Sequence, residues 1–439
     1  MNSDSSTTIA AIATAPGKAG VAAIRVSGPF AWDIAKALTG KTIEPTSAPK
    51  VLYSSLRHPD EKRDLIDDAL VLYFKAPRSY TGEDVVEFHC HGGYITPNRV
   101  LEACFAAGAR LAERGEFTRR AFLNGKLSYE EAESVIDLID AKTSRAAASA
   151  LEGLSGNRSN ELRSLYDKTL ALSSRLEYSL DVDESDLTDE FTLSIQNEAL
   201  ELTRDLKLVL KRSRESKILR RGSLVVLSGE PNIGKSSLMN ALLGENRAIV
   251  SDIAGTTRDS IEEWLDIDGW PIRLVDTAGL RDTEDSIEAE GVERSKNLMA
   301  QADIVLQLVE KPCSPSSKKS IVVVTKCDLI ATKSSECVFT SAKTLEGLDD
   351  LRLAIARMLE RNADLTAVDG DYAYTNGRED ALLSSLSLLS SESFKVESFD
   401  PVLAANDARR AAQILGEAIG AEYSSDLIDN LFSRFCVGK

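Results

Sequence analysis

The hydrophobic and polar positions along the chain change their spacing near Phe117, and the change separates two kinds of structure. Before this point, short apolar runs such as Ala69–Phe74 and Val85–His89 have the length of strands, with Gly and Pro turn signals between them. From about Phe117 to Leu219, Leu, Ile and Ala recur at helical spacing and Pro is absent. The pattern predicts a mixed α/β module followed by several long helices.

From Ser223 onward, apolar runs of strand length alternate with helical stretches. Leu224–Leu227 and Ile304–Val309 have the character of buried strands. Asp268-Gly269 separates two further apolar runs and is a strong signal for a hairpin turn. The alternation predicts a mostly parallel sheet, and after about Asp364 the pattern is helical again. We therefore expect an α/β domain inserted into an all-α domain, beside a separate N-terminal module.

Length and composition agree with several soluble domains. A chain of 439 residues is too long for one hydrophobic core, so two or three domains are expected. The apolar run Ile9–Val26 contains Pro16, Lys18 and Arg25, which excludes a membrane span there. Six cysteines without a CxxC pair, in an acidic chain, are typical of reduced thiols and predict a cytoplasmic protein.

The charge is strongly negative overall but uneven. A formal net charge of −17 argues against broad non-specific binding of nucleic acid, which needs Lys and Arg at the phosphates. The stretch Arg204–Arg221 nevertheless contains eight basic residues and two acidic ones. It is either a solvated helix face or a patch that binds a polyanion.

A phosphate-binding loop is predicted at Gly229–Ser236. The segment matches G-x-x-x-x-G-K-[ST] and lies between a predicted strand and a predicted helix. In such a loop, backbone N–H groups and the helix N-terminus surround the phosphates. We expect Lys235 to neutralise phosphate charge during catalysis and Ser236 to bind magnesium.

Four more segments follow in the order found in GTP-binding domains. Gly255–Thr257 supplies threonine hydroxyls for magnesium, and Asp276–Gly279 supplies a carboxylate and an N–H group for the metal and the γ-phosphate. The carboxylate of Asp328 suits two donors that guanine has and adenine lacks, and Ser341–Lys343 can close over the base. The predicted ligand is GTP, and its binding residues are Asn232, Ile233, Gly234, Lys235, Ser236, Ser237, Thr256, Thr257, Asp276, Thr277, Ala278, Gly279, Thr325, Lys326, Asp328, Ser341, Ala342 and Lys343.

The sequence also constrains how GTP is hydrolysed. Leu280 stands where Ras-like proteins have a Gln that orients water, and an apolar side chain cannot do so. All three histidines precede the predicted helical region, so none is available nearby as a base. The candidates nearby are Arg281 and four acidic residues, and the alternative for each is a solvated loop charge. The acidic residues are Asp282, Glu284, Asp285 and Glu288.

Several strings resemble one family, the tRNA-modification GTPases called MnmE or TrmE. The resemblance extends from about Thr8 to Lys439, and its most specific element is the terminal Cys-x-Gly-Lys in a chain that also has a GTPase domain. The strings are Thr81–Val85, His91–Gly93, Gly115–Phe117, Arg120–Asn124, Asp252–Asp259, Asp276–Arg281 and Phe435–Lys439.

The resemblance implies an activity, partners and metals. Members form homodimers and work with a FAD-dependent partner, MnmG (GidA), in a heterotetramer that modifies carbon five of the wobble uridine of tRNA. Hydrolysis of GTP is stimulated by potassium in place of an Arg finger, and an acidic residue that matches Glu288 is proposed to orient water. The implied potassium ligands are Asn232, Ser251, Ile253 and Thr256, and the implied magnesium ligands are Ser236 and Thr257.

The resemblance also divides the chain into domains and assigns a second ligand. It implies an N-terminal domain for dimerisation and formyl-tetrahydrofolate at 1–118, a helical domain at 119–219 and 366–439, and a Ras-like G domain at 220–365. The implied folate contacts are Arg25, Glu87, Lys126 and Lys439. Cys436 is the family's terminal cysteine and a candidate catalytic residue, and the alternative is a small buried thiol near Phe432 and Phe435.

The sequence raises three alternatives, of which the first two remain open. Thr325 stands where the family has Asn, so nucleotide affinity could be weaker, and a scaffold that binds GTP without hydrolysing it is one alternative. A ribosome-associated GTPase of the Era/Der type is another, because the G-domain motifs are shared. His89-Cys90-His91 raises a third, a metal site, but alternation in a strand separates Cys90 from the histidines, so we expect none.

Overall fold

The chain divides into two compact units in a computed structural model. The units are Met1–Ile136 with Glu422–Lys439, and Asp137–Ala421. No helix among the described residues is both long and apolar enough to cross a membrane. The residues described are 7–43, 48–180, 189–246, 262–276, 297–329, 337–364, 377–395, 398–420, 429 and 431–439.

The first unit is built on a six-stranded sheet. Its strands are β1 (Ile9–Ile12), β2 (Val21–Ser27), β3 (Lys50–Arg57), β4 (Leu65–Phe74), β5 (Val85–His91) and β6 (Arg110–Leu111). The order is β3-β4-β5-β2-β1-β6, and all neighbours are antiparallel except β1 and β6. The runs Ala69–Phe74 and Val85–His89 are confirmed as strands, each longer in the structure than its apolar stretch.

Four helices follow or interrupt these strands in the first unit. They are α1 (Ala31–Thr39), α2 (Thr96–Ala106), α3 (Glu116–Leu123) and α4 (Tyr129–Asp140), the last of which crosses the boundary of the units. Ile34 of α1 and Val100 of α2 pack with Phe88 of β5 in one buried cluster. Burial of these apolar side chains stabilises the sheet on this face. On the opposite face, Phe117 of α3 packs with Ile9 and Ala11 of β1 in a separate buried cluster.

The second unit contains a bundle of long helices. They are α5 (Ser144–Leu154), α6 (Asn157–Leu180), α7 (Asp189–Arg221), α10 (Gly377–Leu389) and α11 (Pro401–Gly420). Two further helices, α8 (Lys235–Asn246) and α9 (Leu348–Asp364), belong to the sheet region of this unit. Leu172 of α6, Leu206 of α7 and Ala408 of α11 lie in the same buried cluster. The predicted helical region is confirmed.

The basic stretch Arg204–Arg221 lies on α7 and is largely paired with acidic residues. Five of its eight basic residues form ion pairs inside the second unit. Arg214 and Glu379, for example, are 3.0 Å apart, with Glu379 buried and Arg214 partly buried. Because much of this charge is already neutralised, the structure favours a role in packing over a patch for polyanions.

The part of this unit's sequence between α7 and α10 forms a second sheet. Its strands are β7 (Ser223–Ser228), β8 (Glu262–Ile267), β9 (Trp270–Asp276), β10 (Ile304–Val309), β11 (Ser320–Val324) and β12 (Val338–Phe339), in the order β12-β11-β10-β7-β9-β8. Every neighbouring pair is parallel except β8 and β9. Asp268 and Gly269 both have positive φ, 50° and 83°, and form the predicted hairpin turn. The mostly parallel sheet is confirmed.

Candidate functional site

The phosphate-binding loop leaves the carboxyl end of β7 and enters α8. Its backbone needs unusual conformations, since φ is 154° at Gly229 and 108° at Gly234. A Cβ atom on Gly229 would lie 2.7 Å from the carbonyl oxygen of Leu308, so a larger residue would displace the neighbouring strand. Asn232 has a φ of 63°, in the left-handed region that Asn tolerates better than most residues. Asn232 therefore suits the backbone of this loop, and its role as a potassium ligand stays a prediction.

Lys235 points into this loop. Its Nζ donates hydrogen bonds to the carbonyl oxygens of Gly229 and Glu230, each at 2.9 Å, and the side chain is buried. The ammonium group is thus held where the phosphates of a nucleotide are expected, by weak neutral partners that an anion can replace.

Ser236 and Asp276 bring together the start of α8 and the end of β9. The Oγ atom of Ser236 donates to Oδ2 of Asp276 at 2.8 Å. A hydroxyl oxygen and a carboxylate side by side are the hard oxygen donors that Mg²⁺ prefers. The pair fits a magnesium site beside the phosphate loop.

Thr325 joins the base-recognition segment to the phosphate loop. Its hydroxyl donates to the carbonyl oxygen of Ile233 at 3.0 Å and is buried. The Thr325 hydroxyl therefore tethers the two segments. Lys326 has a φ of 56°, and the side chain of Asp328 is exposed and free to face a base.

Ser341 closes the same edge of the sheet after β12. Its backbone N–H donates to the carbonyl oxygen of Glu346 at 3.0 Å, and its hydroxyl accepts from the backbone N–H of Thr344 at 3.3 Å. Ala342 is partly exposed and Lys343 exposed. The carboxyl ends of β7, β9, β11 and β12 thus carry the described residues of the predicted nucleotide site at one edge, where α/β sheets bind ligands.

Part of the predicted nucleotide site lies outside the described residues. This applies to Ser251, Ile253, Thr256, Thr257, Thr277, Ala278, Gly279, Leu280, Arg281 and Glu288. Their predicted roles in magnesium binding, potassium binding and water orientation stay predictions.

A second cluster of charges lies on the first unit's sheet, on the neighbouring strands β2 and β5. Arg25 and Glu87 face each other in the register, and Nε of Arg25 is 2.7 Å from Oε1 of Glu87. Their side chains are only 17% and 16% exposed. His89 lies 3.1 Å from the other oxygen, Oε2. Burial would raise the pKa of Glu87, but the charge and hydrogen bond of Arg25 and the bond to His89 outweigh it and lower the pKa.

Two aromatic rings complete the surroundings of Arg25. The guanidinium lies 5.4 Å from the ring centre of Tyr80 and 5.7 Å from that of Phe117. The Tyr80 hydroxyl is 2.9 Å from that of Thr118, which fixes the ring. Burial raises the pKa of Tyr80 despite this bond and the nearby Arg25 charge. The result is a largely buried pair of opposite charges flanked by two aromatic rings.

The C-terminal residues join the same cluster. The backbone N–H of Phe117 donates to the carbonyl oxygen of Lys439 at 3.1 Å. Burial and the charge of Arg25 lower the pKa of Lys439, while the charge of Glu87 opposes them. Gly438 has a φ of 102°, and a Cβ atom there would lie 2.3 Å from the carbonyl oxygen of Ile12. Position 438 therefore requires glycine, because the chain passes close to the backbone of β1 there.

Cys436 and Lys126 are exposed, unlike Arg25 and Glu87. The interpretation of Cys436 as a buried thiol is wrong, because the chain turns Phe435 into the core and leaves Cys436 exposed. Lys126 is also exposed, and its side-chain carbons pass beside Gly82. Among the described residues, no contact links Lys126 to the Arg25–Glu87 pair.

His89-Cys90-His91 forms no metal site in the described part of the chain. Cys90 is buried, which raises its pKa to about 11, and His91 pairs with Asp67 at 2.8 Å. The strand alternation predicted this separation.

The comparisons with known proteins now bear on these two regions. A family model described as the GTP-binding protein TrmE N-terminus matches residues 8–126, and one described as the MnmE helical domain matches residues 130–436. The tRNA modification GTPase MnmE of Heliobacterium modesticaldum is 39% identical over 463 aligned positions, covering 98% of this chain and 99% of that one. The protein of the same name from Geobacillus kaustophilus is 40% identical over 460, with the same coverages.

The chain belongs to the MnmE family. Solved structures similar to parts of it include the FeoB G-domain from Methanococcus jannaschii, 21% identical, with a TM-score of 0.23, covering 31% of this chain and 98% of that one. The cytosolic domain of T. maritima FeoB is 22% identical, with a TM-score of 0.25, covering 44% and 98%. Scores this low support no inference, and the MnmE assignment does not depend on them.

The sequence-based prediction does not include some residues around the Arg25–Glu87 cluster. Tyr80 and Phe117 were not assigned a role, although each adjoins or ends a family string. Arg120, inside another string, is 3.0 Å from Glu83 and 2.9 Å from Glu116, and all three are largely buried. These ion pairs join α3 to the Thr81–Val85 segment. From the sequence alone, only the family-like segments pointed to these residues.

Proposed function

We propose that this MnmE-family chain is a cytoplasmic GTP hydrolase that acts in tRNA modification with a FAD-dependent partner, MnmG (GidA). The modified position is carbon five of the wobble uridine, which receives a carboxymethylaminomethyl-type group. The observation that carries the proposal is the near-complete alignment with relatives named tRNA modification GTPase MnmE. The phosphate loop, with Lys235 buried inside it, supports the GTPase part.

The chain's own residues supply phosphate binding. In a loop of this kind, backbone N–H groups and the N-terminus of α8 would face the phosphates. The Lys235 ammonium would leave the carbonyls of Gly229 and Glu230 for a phosphate oxygen. Ser236 and Asp276 would hold magnesium, directly or through water, and the ion would offset charge on the phosphates. Asp328 would accept hydrogen bonds from guanine.

Potassium is the second proposed ion. The amide oxygen of Asn232 would contribute to its site, together with Ser251, Ile253 and Thr256, and Glu288 would orient the attacking water. Asn232 is exposed at the loop, and a carbonyl-type oxygen suits this cation. We expect faster hydrolysis in potassium than in sodium. Asn232→Gly keeps the left-handed backbone and should abolish the difference, whereas equal rates for the unaltered protein would contradict the potassium proposal.

Formyl-tetrahydrofolate is the proposed ligand of the N-terminal cluster. The Glu87 carboxylate can accept from the ring and amino N–H groups of a pterin, while Arg25 and Lys439 can bind carboxylate or formyl oxygens. The faces of Tyr80 and Phe117 suit a flat heterocycle. Lys126 would join from the exposed rim.

A homodimer through the first unit is the proposed assembly, with MnmG completing a heterotetramer. Val51 and Tyr53 on the edge strand β3 are 64% and 67% exposed, and they pair with Leu72 and Leu70 of β4. Leu70 is also exposed, so these side chains form one apolar patch on the face of the sheet opposite to α1 and α2. Such a patch supports a protein interface.

The experiment that tests the proposal is mass analysis of wobble nucleosides in tRNA from cells that lack this protein. We expect the carbon-five modification to disappear and to return when the gene is restored. Unchanged wobble uridines, with a defect in ribosome assembly instead, would contradict the proposal and favour an Era/Der-type function.

A further inference from the structure

Two cysteines of the second unit lie against each other beside the base-recognition edge. Cys313 is in the loop between β10 and β11, and Cys337 directly precedes β12. The Sγ atom of Cys337 is 3.8 Å from the carbonyl oxygen of Cys313. Cys313 is exposed and Cys337 partly so, whereas Cys90, Cys104 and Cys327 are buried. This pair therefore combines proximity with access.

Gln307 of β10 holds the Cys313 loop over the sheet. Its amide nitrogen donates to Sγ of Cys313 at 3.6 Å, and its amide oxygen accepts from the backbone N–H of Ser316 at 3.0 Å. Pro312 and Pro315 flank the cysteine and restrict the backbone further. The loop is thus preorganised, which lowers the entropy cost of a bond from Cys313.

The strand register brings Cys337 to the same place. Gln307 is level with Val322 in the pairing of β10 with β11, and Val323 is level with Val338 in the pairing of β11 with β12. Cys337, one residue before Val338, is therefore in the row of Gln307 and Val322. The loop tied to Gln307 reaches this row, where Cys337 contacts the carbonyl oxygen of Cys313.

We propose that Cys313 and Cys337 form a thiol–disulfide site that is oxidised by a low-molecular-weight disulfide such as oxidised glutathione. The thiolate of one cysteine attacks the small disulfide, forms a mixed disulfide and releases one small thiolate. The thiolate of the second cysteine then attacks the protein sulfur and releases the other. Two protein thiols become one disulfide, one small disulfide becomes two thiols, and the two protons pass to those thiols or to water.

The bond would brace the base-recognition edge. β12 and the segment after β11 are already joined, since Cys327 donates its backbone N–H to Thr340 at 3.1 Å and Thr340 donates to Val324 at 2.8 Å. A disulfide would add a covalent tie from the β10–β11 loop to β12 and constrain the unfolded chain around this edge.

The test uses the full-length protein treated with oxidised glutathione, followed by alkylation of free thiols, proteolysis and mass mapping. We expect a linked peptide that contains Cys313 and Cys337 and is lighter by two hydrogens than its reduced parts. Cys313→Ser and Cys337→Ser should each stop at a glutathione adduct on the remaining cysteine, and Cys436→Ser should leave the link intact. The oxidised protein should also unfold at a higher temperature than Cys313→Ser treated in the same way.

Three results would overturn the proposal. Cys313 and Cys337 could both remain alkylated, could both carry glutathione without a link, or could link to Cys327 instead of to each other. The circular dichroism of each Ser variant, compared with the untreated protein, shows whether the variant is folded.

Discussion

The nucleotide site and the Arg25–Glu87 cluster are built in opposite ways. At the nucleotide site, loops at the ends of parallel strands present backbone groups, and short contiguous motifs define them. In the cluster, side chains from β2, β5 and the C-terminus meet on a sheet face, and backbone N–H groups serve only to dock the tail. A site made of backbone depends on a few special residues, whereas a site made of side chains depends on each member.

The largest expected effect concerns the one buried cation of the phosphate loop. Lys235→Ala should lower kcat/KM for GTP on the order of a hundredfold to a thousandfold, because a preorganised charge at the phosphates is lost. Steady-state hydrolysis measures the effect. Lys318→Ala, an exposed lysine of the same domain, serves as the control. An activity loss below threefold for Lys235→Ala would contradict the described role of the loop.

The next effect concerns magnesium. Asp276→Asn keeps the size of the side chain and a hydrogen-bond partner for Ser236 but removes the charge. The magnesium concentration needed for half-maximal hydrolysis should rise about tenfold to a hundredfold. A magnesium titration at saturating GTP measures it. An unchanged midpoint would exclude Asp276 from the metal site.

In the N-terminal cluster, removing one partner should affect stability. Arg25→Met leaves the Glu87 carboxylate largely buried without its ion-pair partner, although His89 still binds it, and the free energy of unfolding should fall by about 1–3 kcal/mol. Urea unfolding measures the change. The double variant Arg25→Met, Glu87→Leu should recover part of it, and additive losses would show that the two residues are independent.

The pH dependence sharpens the same point. The folded protein holds the pKa of Glu87 below its usual 4.5, so the pair's contribution is fully present above that value. It should disappear as the pH falls from 4.5 through the lower folded pKa. The difference in unfolding free energy between the protein and Glu87→Gln should shrink over this range. A difference that grows on acidification would contradict the assigned direction.

The smallest effect is at Thr325. Thr325→Val removes the hydroxyl that donates to the Ile233 carbonyl, and GTP affinity should weaken by about 0.5–1.5 kcal/mol. Equilibrium binding measures it, and Thr325→Ser should retain the affinity. Equal weakening in both variants would point to packing by the methyl group instead of the hydrogen bond.

The difference between the backbone-based nucleotide site and the side-chain-based Arg25–Glu87 cluster explains what could be predicted from the sequence. Gly229–Ser236 and Asp268-Gly269 have local signatures, because glycine conformations and strand–turn patterns depend on neighbours in the chain. The pairing of Arg25 with Glu87 depends on the register of β2 and β5, which no local pattern encodes. The family resemblance named both residues, but Tyr80 and Phe117 become visible only in three dimensions. The exposure of Cys436 likewise depends on how the terminal residues pack.

The most direct test of the central proposal, that both regions serve one tRNA-modifying reaction, is wobble-nucleoside analysis in cells whose only copy carries Lys235→Ala or Glu87→Gln. We predict that the same carbon-five modification is lost or strongly reduced in both strains, with each variant present at normal abundance. Normal modification in the Glu87→Gln strain, beside its loss in the Lys235→Ala strain, would contradict a role for the cluster in the reaction.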